Sequence, residues 1–347
     1  MGHRQPHCCD TRLPPASRLK SQVSVPTKHR DSPTIKALHN LAAVVCATVL
    51  TVWPIIAVPS DKPSITVVYP DIREPYRGVF RQIIDGVNDG ANARVDTHIV
   101  QRDKNVSKLS KQLNKHDTKL IIALGAQALT AAKAAADLPI VVGAVLKQPA
   151  EQPDNLSGIT MLPDPSLLFA RLKELRPNAV RIAVVYNPNV NQELISLARQ
   201  SAQSHGLQLV AREATNLSTA ARTYRELFKT GEIDAIWLPQ DRSTVDNKII
   251  LPLVLERAWK HDITVFSSSL AHVERGALFA LYPDNIAMGR RLTRMALAAL
   301  EREPSQPGHI TPLVDVKIAF NIRTASHLGM HVTAEQKRQF DLIFPIR

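Results

Sequence analysis

Several strand-end positions carry side chains suited to holding a small polar molecule. Gln127 follows Gly125 and Ala126 at the start of a predicted helix. Unpaired backbone N–H groups and the helix dipole there suit a carboxylate, although a plain helix start uses the same residues. Asn187 and Asn189 flank Pro188 directly after a strand-like run. Their amides could bridge to a ligand, while Asn before Pro is also an ordinary turn choice. Asp241 follows Pro239 and Gln240 at another strand end. A desolvated carboxylate needs a partner, and a ligand ammonium would serve; capping the next helix is the competing role. Ser267, Ser268 and Ser269 offer hydroxyls to a ligand or to a hinge. Tyr69 and Tyr76 could stack on an aromatic ligand or pack in the core, and Trp237, inside a strand, reads as core.

Bond-making chemistry has no comparable support. The twelve histidines are scattered, with no pair four apart on a predicted helix. Neither a nucleophile elbow, a phosphate-cradling Walker loop nor a dinucleotide fingerprint occurs. Cys8, Cys9 and Cys46 are the only cysteines, so the body from Asp61 onward has no disulfide framework, thiolate metal site or cysteine nucleophile. The expectation is a binding protein, not an enzyme, with no cofactor and no metal. A hydrolase or transferase stays open only through residues that meet in space.

The net charge of +12 raises the question of nucleic acid. Residues 1–37, however, hold seven basic against two acidic residues, and the rest of the excess is spread thinly. No basic run is interleaved with aromatics, so the body reads as a solvated surface without a nucleic-acid partner.

The elements that would position these residues alternate. Residues 1–37 read as a disordered basic head. Leu41–Val58 is an uncharged apolar run at the border between a signal-peptide core and a membrane span. A cleaved export signal ending near Ser60 is preferred over an uncleaved anchor or a buried helix. The long head suggests a natural start further in. From Ile65 the chain runs strand, helix, strand, helix, and reaches Lys119–Val145, in which two apolar strands flank an alanine-rich helix. Such a βαβ unit implies a parallel sheet covered by helices, with ligands beyond the carboxyl ends of its strands. Asn155–Met161 reads as a turn around Gly158. The alternation restarts at Val180 and continues to Phe266, which predicts two doubly wound lobes, 62–160 and 165–268. In the remainder, 269–347, a strand at Ala277–Leu281, a long helix at Ile286–Glu301, a proline-rich loop and a strand at Val316–Phe320 read as a tail shared between the lobes and hinge.

The order of marks becomes specific when taken together. Leu120–Ala136 is followed by Leu138–Val145, Asn155–Gly158, Leu175–Pro177 and Arg181–Pro188. Asp234–Asp241, Thr264–Phe266, Val273–Ala277, Asn285–Gly289 and Asn321–Gly329 complete the series. This set resembles the ABC-transporter substrate-binding proteins whose characterised members bind aromatic amino acids such as tryptophan. The resemblance implies a type I periplasmic-binding-protein fold, α/β, with two Rossmann-like lobes, a hinge and ligand in the cleft between them. Two positions depart from the family pattern: Gln148-Pro149 stands where it usually has Asp-Pro, and the turn after the first strand, Tyr69–Tyr76, lacks the usual glycine.

The reading is then an exported, periplasmic solute-binding protein that captures a small molecule, with an amino acid the inherited choice. Its ligand-binding residues would be Tyr69, Gly125, Gln127, Asn187, Asp241 and Ser268. Its partner would be an ABC permease or, in a second reading, a membrane sensor; the membrane is met only through residues 41–58. A ligand-controlled repressor, the rival of another class, would need a helix-turn-helix where that apolar run stands.

Overall fold

The computed structural model describes residues 62–74, 76–101, 106–149, 153–301 and 308–346. The basic head and the apolar run at 41–58 lie outside the described residues.

The first half builds β1 (Ser64–Pro70), α1 (Tyr76–Gly90), β2 (Arg94–Val100), α2 (Val106–Lys115), β3 (Leu120–Leu124), α3 (Ala126–Ala135), β4 (Ile140–Val145) and β5 (Leu156–Pro163). α4 (Pro165–Leu175) leads to β6 (Arg181–Tyr186), α5 (Pro188–Ser204), β7 (Gln208–Glu213), α6 (Leu217–Thr230), β8 (Ala235–Leu238), α7 (Ile250–Lys260) and β9 (Thr264–Ser267). The remainder is α8 (Leu270–Glu274), β10 (Phe279–Pro283), α9 (Asn285–Leu300), β11 (Ile310–Leu313), β12 (Val316–Asn321), α10 (Ile322–His327), α11 (Ala334–Lys337) and β13 (Leu342–Phe344).

These strands form two sheets. One has the order β11-β5-β4-β3-β1-β2, the other β13-β12-β10-β9-β8-β6-β7. Every pair is parallel except β10 with β12. β3 shows why its run is uniformly apolar. Leu120, Ile122 and Leu124 pack under α1 and α9, while Ile121 and Ala123 pack under α2 and α3. With a period of two, a strand covered on both faces must be apolar at every position. In the second sheet, Ile182 and Val184 of β6 face α4 and α5, and Ala183 and Val185 face α6 and α7.

The tail divides between the sheets. β10, β12 and β13 extend the second, whereas β11 pairs with β5 on the first. α9 returns to cross α1 at two glycines: a Cβ on Gly86 would lie 2.0 Å from the Ile286 carbonyl oxygen, and one on Gly289 2.1 Å from that of Ile83. The helix backbones touch there. Thr293 Oγ1 adds a 3.1 Å bond to the Val87 carbonyl.

Two expectations are corrected. Residues 155–161 are not a turn, since Gly158 lies inside β5. A Cβ at that position would meet the Val142 carbonyl oxygen at 2.2 Å, so the glycine serves strand-to-strand approach. The proline-rich loop also ends earlier than expected, because Ile310–Leu313 is an edge strand. An edge tolerates Pro312, whose missing N–H breaks no interior ladder, and the register slips there between Thr311 and Leu313.

Candidate functional site

The candidate site lies where the carboxyl ends of β1, β3 and β4 in one sheet and of β6, β8 and β9 in the other come together. Two side chains bridge these edges. Arg242 Nη2 donates to Tyr76 Oη at 3.3 Å, and Lys147 Nζ donates to the Asn189 carbonyl at 3.2 Å.

On the second sheet the edge is organised around Asp241, which is 5% exposed. Its Oδ2 accepts from the Asn187 backbone N–H at 3.1 Å and from Asn191 Nδ2 at 3.2 Å. Its Oδ1 accepts from the Ser243 backbone N–H at 2.9 Å and from the Ser243 hydroxyl. Four donors, from Asn187 at the end of β6, Asn191 in α5 and Ser243 after β8, therefore share one carboxylate. Buried polar oxygens need such partners, and here each carboxylate oxygen has two. Beneath it lies Tyr224, whose phenol is pushed far above its ordinary range, first by burial and then by the Asp241 charge.

Asn187 caps α5. Its Oδ1 accepts from the Asn189 N–H at 3.0 Å, and its Nδ2 donates to Ser243 Oγ at 3.0 Å. The two asparagines thus share one local motif, and Asn187 ties it to the Asp241 loop.

The serines after β9 divide their work. Ser267 Oγ, fully buried, donates to the Leu238 carbonyl at 3.0 Å and accepts from the Ser269 N–H at 3.2 Å. His272 Nδ1 sits 2.7 Å from the same oxygen. With the hydroxyl proton already given to Leu238, that ring nitrogen carries the hydrogen and donates. Burial, reinforced by the nearby Arg275 charge, lowers the His272 pKa to about 4, so the ring is neutral near pH 7. Ser268 is 3% exposed, and its carbonyl accepts from Gln240 Nε2 at 2.6 Å, which joins the β8 and β9 loops.

The first sheet builds its edge from backbone. Gly125 caps α3 without a side-chain bond at φ 87°, a conformation that suits glycine. Its N–H donates to the Gly143 carbonyl at 2.8 Å and its carbonyl accepts from Leu129 at 3.0 Å. At the end of β4, Ala144 has φ 55°, and the pairing with β5 shifts register between Val142 and Val145. A non-glycine residue held there is a cost that neighbouring structure must impose. Gln127 is half-buried in the first turn of α3.

Not every predicted residue joins this edge. Tyr69 is half-buried on the α1 side of β1, in an apolar groove of about 460 Å³ with Phe80, Ile84 and Ile99. Its alternation with Ile65 and Val67 puts it on that face. Trp237 is core, edge-on to Phe169 with ring centres 5.8 Å apart. Arg242 and His272, which sequence reasoning passed over, are the additions. Arg242 had a signal in its place beside Asp241 at a strand end; the Ser267–His272 bond spans a loop-helix junction and had none.

Among the described residues no group of three or more His, Cys, Asp or Glu is placed to hold a metal, and no helix is long and apolar enough to cross a membrane.

No curated protein matches the chain. Among solved structures, a ligand-free, open substrate binding protein with adhesive properties from Clostridium difficile is 21% identical. The match covers 82% of this chain and 100% of that one with a TM-score of 0.59. A domain from Streptococcus pneumoniae in complex with L-Trp is 19% identical over 82% of this chain and 100% of that one, with a TM-score of 0.50. The shared architecture is the type I periplasmic-binding-protein fold: two parallel-dominated sheets with alternating strands and helices. The family model for ABC transporter substrate binding proteins matches residues 66–337. With fold and match in agreement over most of its length, the chain belongs to the ABC transporter substrate-binding protein family.

Proposed function

We propose that this protein is exported and captures a small molecule between lobes at 62–160 and 165–268, for delivery to an ABC permease. The observation that carries the reading is the pair of strand-end edges bridged by Arg242 to Tyr76 and by Lys147 to Asn189. A molecule seated between them touches both edges only when they are close. Its binding energy then favours the closed form, which a permease can recognise. Gly125 and Gln127 supply the uncapped start of α3 on one side. Asn187, Asp241 and Ser268 shape the other, chiefly through loop geometry, and Tyr69 reaches the site only through the groove beside α1. The half-buried and exposed polar atoms of these loops are available to a ligand without any bond being made or broken. The amino-acid class remains the inherited choice, and L-Trp in the pneumococcal relative makes it the first compound to try.

The test is a thermal-shift screen of amino acids and small organic acids on the full chain, with mass spectrometry of any molecule released on denaturation. Bound ligand raises the melting temperature in proportion to the logarithm of its concentration over Kd. A concentration-dependent rise for one compound class is expected. A chain that releases nothing and is stabilised by nothing contradicts the reading.

A further inference from the structure

We propose that the ligand of this cleft is an organic anion, a carboxylate without a compensating ammonium group, held by Arg242 together with Lys147. The proposal rests on the solute-binding reading above and narrows it to a charge class.

Some of the charges on the two edges already have partners. Asp241, the acid best placed to take a ligand ammonium, is saturated by Asn187, Asn191 and Ser243. Asp71 lies 3.9 Å from the Arg77 guanidinium, while Glu74 on the first edge has only the Gly78 N–H at 3.3 Å. Two cations also lack a charged partner. Among the described residues, Arg242 meets only the neutral Tyr76 hydroxyl and Lys147 only the neutral Asn189 carbonyl. Glu193, one turn into α5, lines the same groove as Lys147 without pairing to it.

These two cations belong to one connected arrangement. Tyr76 touches Arg242; the adjacent Ser243 touches Asn187; Asn187 caps Asn189; and Asn189 accepts from Lys147. The Asp241 bonds to Ser243 fix the loop on the far side of Arg242, so its guanidinium projects across the gap toward α1. A guanidinium has five donors in a planar fork and an ammonium has three. Each here uses one on the protein. The remaining fork matches a carboxylate in two-point contact, and Lys147 adds a second positive charge. An ammonium on the ligand would meet at Asp241 a carboxylate with no spare acceptor and the Arg242 charge next to it in the chain, while Glu193 shares its groove with the Lys147 cation. In this arrangement Asp241 is a positioning residue for Arg242.

Two measurements on the full chain test the proposal. Mass spectrometry of the molecule released on denaturation should find a carboxylate lacking an amine; a cation or zwitterion overturns the proposal while leaving the solute-binding reading intact. Calorimetry then compares indole-3-propionate, 3-phenylpropionate and succinate with tryptamine and L-tryptophan. At least one of the three carboxylates should bind and tryptamine should not. Arg242→Gln should weaken that carboxylate about 10–100-fold, the loss expected for a charged hydrogen-bonded contact, and Lys147→Gln by a smaller factor. Because both side chains are exposed, the ligand-free melting temperature should stay unchanged, which separates lost binding from lost folding. Binding of tryptamine, a carboxylate affinity unmoved by Arg242→Gln, or no binding by any of the three carboxylates overturns the proposal. No released molecule and no binding by any of the five compounds overturns the solute-binding reading as well.

Discussion

The two facing strand-end edges are built from different materials. The edge on the second sheet is set by buried side chains: Asp241 gathers four donors, and Ser267 joins Leu238, Ser269 and His272. The edge on the first sheet is set by backbone, with Gly125 at φ 87° and Ala144 at φ 55°. It presents Tyr76 and Lys147 to solvent. Buried networks are rigid because breaking one bond strands several partners, whereas exposed side chains can change rotamer at little cost. The comparison assigns shape to the second edge and adaptation to the first.

The largest expected effect comes from removing the hub of the second edge. Asp241→Ala leaves the Asn187 N–H and Asn191 amide without their acceptor, which should cost about 3 kcal/mol by denaturant unfolding. A loss below about 1 kcal/mol would mean that this edge is no more rigid than the other.

Lowering the pH should loosen the same edge through His272. The ring is neutral when folded, with a pKa near 4 against 6.5 when free. A depressed folded pKa means that the unfolded chain binds the proton more readily. His272 therefore favours folding fully above about pH 6.5, and its contribution fades as the pH falls from there toward 4. A shift of this size corresponds to at most about 3 kcal/mol. Stability measured between pH 7 and 4 should fall less steeply in His272→Gln than in the parent; equal slopes would remove His272 from the account.

On the first edge, Gly125→Ala should cost about 2 kcal/mol through backbone strain alone. The nearest atoms to the added Cβ lie 3.8 Å or more away, so there is no clash to add. The smallest effect should come from Lys147→Ala, within about 0.5 kcal/mol of the parent in ligand-free unfolding. Lys147 is exposed and bonded only to a carbonyl, so little of the fold depends on it.

The contrast also explains what could be read from the sequence. Apolar runs such as Leu120–Leu124 and stops such as Gly231, at φ 62° after α6, are local signals and placed most strands and helices. The turn expected around Gly158 failed because a glycine can serve a turn or a close approach, and only the neighbouring strand decides. The Ile310–Leu313 strand was hidden by its proline and by a partner, β5, far away in the chain. The same distance hid the role of Asp241. Its partners Asn187 and Asn191 lie 54 and 50 residues earlier, so the residue was legible as a strand-end acid but its saturation was not. Tyr69 was legible as an aromatic at a strand end; the face it occupies followed from the register of β1.

The central claim is that ligand draws the two edges together, and an inter-edge distance tests it most directly. With Cys8, Cys9 and Cys46 replaced by serine, spin labels at Arg73→Cys and Lys248→Cys would report on exposed loops of the two edges. Pulsed electron–electron resonance without ligand should give a broad, longer distribution. A compound that stabilises the chain should give a shorter, narrower one, with the shift lost in Arg242→Gln at the same concentration. A distribution that a stabilising compound leaves unchanged would contradict closure around the ligand.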